Sequence, residues 1–361
     1  MTCTFSAGCW RSKRKPPRLR AACVGFLALG LAVASWAAPA HKDKNLHIYF
    51  VDVEGGQATL FVTPAGQSLL IDTGWPGSEG RDADRIVAAA RKAGLGKIDY
   101  VLITHFHQDH VGGVSQLAAR SPSGAFIDHG ENRENDAGTI GGWQAYQAVL
   151  ATGKYKHIIA RPGDRLPVKG VRATVINSDG ALIDKPLPGG GQDNPNCKGA
   201  EQYPAEPGEN ARSLGTFFNF GKLKILDLGD LTSDKEMPLV CPTNKIGRID
   251  IYIVSHHGTI TSSSPPFVHG IAPRVAIMDN GATKGGSPEV WDVIEKSPGL
   301  EDLWQLHFSE EGGAAHNVAT EFIANPGGPD AAHGLELTAH PDGSFEVFNA
   351  RTQKSKLYPA R

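Results

Sequence analysis

The stretch Thr104-His105-Phe106-His107-Gln108-Asp109-His110 sets four potential metal ligands, His105, His107, Asp109 and His110, within six consecutive residues. Imidazole and carboxylate donors in this mixture suit zinc, with manganese or iron as rivals. On extended backbone, side chains two apart leave on the same side, so one cation can take both His105 and His107. Asp109 and His110 are adjacent at the opening of a helix and can face a second cation. Two close metals would make a hydroxide nucleophile available near neutral pH. A surface histidine cluster is the alternative reading, and the residues just upstream argue against it.

Those residues, Ile98-Asp99-Tyr100-Val101-Leu102-Ile103, have the composition of a buried strand. Val111 onward reads as the start of a helix. The donors thus stand where a strand ends and a helix begins, the place where sites form in layered α/β folds. Other strand ends carry candidate partners. Residues 46–53, 58–63 and 68–74 read as a meander of hairpins, the last ending in Asp72-Thr73-Gly74. A strand over 124–128 leads to His129. A hairpin around Gly221-Lys222 delivers Gly229-Asp230, and a strand over 249–255 ends at His256-His257-Gly258-Thr259. His307, closing a late strand, and His316 are candidates for the rim. Helices are expected over 81–93 and 142–151 and from Ser287-Pro288, where serine caps and proline takes the first turn. Strands are expected over 156–160, 164–168, 171–177 and 275–278, with a closing hairpin over 335–347. Residues 180–209, rich in Gly, Pro and Asn, read as a long surface loop that could cover the site.

Composition bounds the compartment. Residues 11–20 are basic, 21–34 are apolar, and Ser35-Trp36-Ala37 offers small residues for cleavage, so residues 1–37 are expected to be a signal peptide. The apolar run is short of the roughly 20 residues that a membrane span needs, so no stable membrane insertion is expected after cleavage. The remaining residues 38–361 are expected to form a single domain, periplasmic or secreted. The whole chain has 36 basic and 38 acidic side chains. Six of the basic ones lie in residues 1–37, which leaves the mature chain at net −8. An acidic protein is a poor passive binder of polyanions, which counts against long nucleic acid as a partner. Cys197 and Cys241 remain after cleavage and are expected to pair in an oxidising compartment.

His105-Phe106-His107-Gln108-Asp109-His110 resembles the HxHxDH signature of the metallo-β-lactamase superfamily, and Gly229-Asp230 and His256-His257-Gly258-Thr259 extend the likeness. The resemblance implies an α/β fold, the four-layer αββα sandwich with mixed sheets, and two zinc ions. It implies that His105, His107 and His129 hold one cation, that Asp109, His110 and His256 hold the other, and that Asp230 bridges them. His257 is the alternative to His256, and Asp109 or His257 would handle the proton. Asp72 resembles a residue that orients site groups. Val51-Asp52-Val53, Gly56-Gln57-Ala58-Thr59, Asn210 with Ser213, and Ser255-His256-His257-Gly258 are similar to the hydrolase domain of bacterial DNA-uptake channel proteins. This implies metal-dependent hydrolysis of a small or short phosphodiester. The alternatives are β-lactam, lactone or thioester hydrolysis and, in another class, a non-catalytic binding protein stabilised by its metal.

Overall fold

The apolar runs pair into two mixed sheets. We describe residues 1–2, 43–327 and 330–361 in a computed structural model. The signal peptide expected over residues 1–37 falls, apart from its first two residues, outside the described residues. Residues 37–361 make up one unit of the chain. Among the described residues no helix is long and apolar enough to cross a membrane.

The first sheet has nine strands. Its spatial order is Lys354–Tyr358, Phe345–Asn349, Leu335–Ala339, Leu46–Phe50, Thr59–Val62, Ser68–Ile71, Ile98–Leu102, Ser123–Asp128 and Lys156–Ile159. The early hairpins pair antiparallel; from Ser68–Ile71 onward the pairing is parallel. The second sheet has eight strands: Ile323–Asn325, Asp302–His307, Val275–Met278, Ile251–Ile253, Leu223–Asp227, Gly215–Phe220, Arg172–Ser178 and Ala181–Leu182.

Successive strand side chains point to opposite faces, so a strand covered on both sides must be apolar throughout. Leu102 joins a central core with Ile48, Phe61, Phe218, Ile225 and Ile253. Its neighbour Val101 joins an outer core under the helix Arg81–Lys92. In the other half Leu226 and Tyr252 pack outward with Phe267 and Ile294. The layers are therefore helix, sheet, sheet, helix: the αββα sandwich. Phe61 stacks on Phe218 across the sheets, centroids 4.5 Å apart. Each such buried side chain contributes about 1.5–3 kcal/mol.

Three local expectations change. Residues 164–168 make only an isolated bridge, Arg165 to Thr174; Pro167 lacks the N–H a ladder needs. The helix expected from residue 142 begins at Ala137, because Asp136 accepts the Gly138 and Thr139 N–H groups as its cap. Residues 180–209 are tied down. Gln192–Asp193 pairs with Thr243–Asn244, and Cys197 is bonded to Cys241.

Candidate metal centre

The site lies at the strand ends of both sheets. Backbone past Ile98–Leu102 carries His105 and His107 into the short helix Gln108–Val111, which holds Asp109 and His110. Asp72 follows Ser68–Ile71 in a left-handed conformation, φ 59°. Its Oδ1 accepts the Thr104 N–H at 2.8 Å; its Oδ2 accepts the Thr104 hydroxyl at 2.6 Å and His110 Nδ1 at 2.7 Å. Asp72 thus orients site groups as expected. Gly56 is a close-approach position: a Cβ there would stand 2.4 Å from the Asp109 carbonyl oxygen, the same oxygen that accepts the Gln57 N–H.

Each of four histidines has one ring nitrogen on an acceptor outside the centre. His105 Nδ1 meets Thr104 Oγ1 at 3.0 Å, His107 Nε2 meets Glu134 Oε2 at 2.9 Å, His110 Nδ1 meets Asp72, and His257 Nδ1 meets Asp279 Oδ1 at 3.2 Å. Those contacts assign the outer nitrogens as N–H donors. The inner nitrogens then face one another: His105 Nε2 lies 3.0 Å from His107 Nδ1, and His110 Nε2 lies 3.2 Å from His257 Nε2. Two facing nitrogens this close can share one proton or, with both left as lone pairs, can together hold a cation. Asp230 joins the pairs, with Oδ2 3.2 Å from His110 Nε2 and 3.9 Å from His105 Nε2, and Oδ1 3.4 Å from His257 Nε2. Asp230 Oδ1 is buried and has no hydrogen-bond partner. This donor set fits zinc or a similar divalent ion.

The electrostatics carry the same demand for positive charge. Burial works against a charged His110, yet Asp230, Asp109 and Asp72 hold it well above the usual imidazole range. His257 is opposed by burial and by Lys284, but Asp230 and Asp279 hold it up to about 10. Burial and the neighbouring His110 and His107 push His105 well below its ordinary value. Burial opposes the charged forms of Asp109 and Asp230, but the His110 charge leads the groups that hold both well below the carboxylate range.

Asp109, His110, Asp230 and His257 offer ligand atoms that all lie within 4.8 Å of one another. His105 and His107 adjoin this group through the contacts above. Two expectations need correction. His257, not His256, takes the inner position. Both residues are left-handed, φ 55° and 54°, and the double turn swings the His257 ring inward. His256 stays at the rim, its side chain 14% exposed and Nε2 3.5 Å from Asp230 Oδ2. Burial is the main force lowering it to about 4. His129 is not brought to the cation positions. Its Nε2 is 3.0 Å from Glu209 Oε2, and its ring packs on Phe106 with centroids 4.6 Å apart. Glu209 Oε2 also accepts the Phe106 N–H at 3.1 Å. His129 thus supports the backbone between His105 and His107. His307 likewise turns from the rim to Asp52, at 2.7 Å.

Glu134, Glu209, Asp279 and Lys284 were not singled out in the sequence. Only Lys284 left a signal, its place before Gly285-Gly286 in a loop that must bend sharply. Asn210 also reaches the rim, with Nδ2 3.4 Å from His256 Nε2 and Oδ1 buried without a partner. A cleft of about 490 Å³ opens beside the centre, lined by His107, Gln108, Asp109, Glu134, Asp136 and Thr139 among others.

Residues 51–194 match the family model of the metallo-beta-lactamase superfamily. Recombination protein 2 of Haemophilus influenzae is 23% identical over 253 residues, 68% of this chain and 26% of the relative. Hydroxyacylglutathione hydrolase of Stenotrophomonas maltophilia is 33% identical over 104 residues, 29% of this chain and 37% of the relative. The chain therefore spans well under half the length of these two relatives. Among solved structures, the metallo-beta-lactamase fold protein YhfI from Bacillus subtilis aligns with a TM-score of 0.45 at 12% identity, covering 73% of this chain and 96% of that one. Family match, sandwich and His/Asp cluster agree on a metallo-beta-lactamase superfamily domain over residues 51–194.

Proposed function

We propose that this protein is an exported hydrolase with two adjacent divalent-cation positions and that it cleaves a phosphodiester. One observation carries the reading: two pairs of histidine nitrogens face each other across 3.0 and 3.2 Å with their outer nitrogens already engaged. His105 and His107 would hold one cation, Asp109, His110 and His257 the other, with Asp230 between. Bound there, such ions polarise a phosphoryl oxygen and make water acidic near neutral pH. The chain's own work is orientation and proton handling. Asp72, Thr104, Glu134 and Asp279 fix the rings, and such partners are worth 10–100-fold in metal affinity or activity as a rule of thumb, roughly. Asp109 would move the proton, since His257 is taken up as a cation ligand in this reading. The relation to Recombination protein 2 supports the phosphodiester, and the bonded Cys197 and Cys241 support an oxidising compartment.

A second reading, thioester hydrolysis, is favoured by the relation to hydroxyacylglutathione hydrolase. Metal analysis of the purified protein, followed by a panel of phosphodiester, thioester, lactone and β-lactam substrates, separates the readings. Asp109→Ala is the control. Turnover of the phosphodiester that disappears on chelation and returns with metal is expected; turnover that survives complete demetallation would sink the proposal.

A further inference from the structure

We infer that Lys284 is the anion-recognition residue of this centre: its ammonium, paired with Asp109 and open to solvent, is placed to meet an oxyanion of a substrate bound at the centre. The inference rests on the hydrolase reading and deepens it, because it names a charged group the substrate must carry.

Lys284 lies in the turn between the strand Val275–Met278 and the helix Pro288–Glu295, where its carbonyl accepts the Gly281 N–H at 2.8 Å. That turn is pressed against residues 54–56. A Cβ on Gly55, whose φ is 79°, would stand 2.8 Å from Gly281 N, so only glycine permits the approach. The close packing brings the Lys284 ammonium onto the Gly55 carbonyl at 2.8 Å and into an ion pair with Asp109 Oδ2. The ammonium also stands 5.3 Å from the Trp75 ring centroid, which favours a cation held over the opening. An ammonium has three donors. Two have protein acceptors, which leaves one N–H, and the side chain is 33% exposed. Lys284 can therefore reach solvent and the carboxylate together.

Charge decides the rest. Among the described residues, Lys284 is the sole permanent cation paired with a carboxylate of the centre; the other partners of Asp109 and Asp230 are histidines. A divalent cation held by Asp109 would add two positive charges beside the ammonium that Asp109 pairs with. Asp109 then has a stronger partner, and the site gains an excess of positive charge that an anion relieves. A phosphodiester brings one negative charge on its non-bridging oxygens, beside the bond to be broken. A neutral ester or lactone brings none.

The test compares wild type, Lys284→Met and Lys284→Arg. Zinc affinity is measured by competition with a chromophoric chelator. Inorganic phosphate binding to the stoichiometrically zinc-loaded proteins is measured by calorimetry. KM and kcat are measured for bis(p-nitrophenyl) phosphate and for neutral p-nitrophenyl acetate. Lys284→Met is expected to bind zinc more tightly, because its rival for Asp109 is gone, and to bind phosphate about tenfold more weakly. Its KM for the phosphodiester should rise by about the same factor, with a much smaller change for the acetate. Lys284→Arg should retain phosphate binding. Unchanged phosphate affinity in Lys284→Met, or weaker zinc binding, overturns the inference while leaving the hydrolase reading intact. A wild-type protein that binds no zinc defeats both.

Discussion

Among the described residues two clusters offer three or more ligand atoms within 4.8 Å of one another: Asp109, His110, Asp230 and His257, and Asp52, Glu54 and His307. Both join the two sheets. They differ in where their positive charge comes from. In the second cluster Arg85, on the helix Arg81–Lys92, enters with its side chain 13% exposed. Its guanidinium donates to Asp52 Oδ2 at 3.1 Å and to the Asp52 carbonyl at 2.9 Å, and it pairs with Asp330. His307 Nε2 takes Asp52 Oδ1. The Asp52 carboxylate is satisfied by the chain itself. In the first cluster, among the described residues, no arginine enters; Lys284 pairs with Asp109, and Asp230 Oδ1 has no hydrogen-bond partner. Similar residue types thus make a structural tie where a permanent cation engages the buried Asp52, and a cation site where the buried Asp230 meets only histidines.

Each side of that contrast can be broken. The largest effect expected is from metal itself. Zinc at a thousand times its dissociation constant should stabilise the wild type by about 4 kcal/mol, seen as a raised Tm that chelator reverses. Equal stabilisation after Arg85→Met would show that the tie is not where zinc binds. Arg85→Met by itself should cost about 3 kcal/mol in denaturant unfolding, because it leaves the buried Asp52 without its permanent counter-charge. A cost near zero would mean that the tie is not held by charge. Asp230→Ala should lower zinc affinity by at least about a hundredfold, beyond the usual loss from an orienting partner, while zinc affinity in Glu54→Gln should hardly move. The smallest effect concerns His307. Burial opposes its charge, but Asp52 and Glu54 raise it above the ordinary imidazole value. A raised value means that its contribution is fully present below about pH 6.5 and is lost as pH rises through the folded value. His307→Gln should therefore cost about 1 kcal/mol near pH 5.5 and less near pH 9. A cost independent of pH would remove the ion pair from the account.

Much of this was legible because it is local. His105, His107, Asp109 and His110 were readable as one site because strand alternation and a helix start place them together whatever else the chain does. Asp230 was readable because a tight turn at Gly221-Lys222 forces a short hairpin whose far end must carry it forward. His129 misled for the opposite reason. It stands at a strand end on the correct side, but Glu209, 80 residues away, claims its ring nitrogen. Nothing near His129 in sequence announces that acceptor.

By itself, the amino-acid sequence determined the donors of one strand-to-helix turn and the approach of Asp230, since each follows from periodicity and turn residues over a few positions; the sandwich was implied by the resemblance those motifs carry. Only the tertiary structure decided that His257 rather than His256 faces His110 across 147 positions, that Lys284 reaches Asp109 across 175, and that Arg85 neutralises Asp52. Those choices depend on two left-handed residues and on glycine-lined contacts between distant loops. Packing between elements sets such contacts, and no periodicity records them.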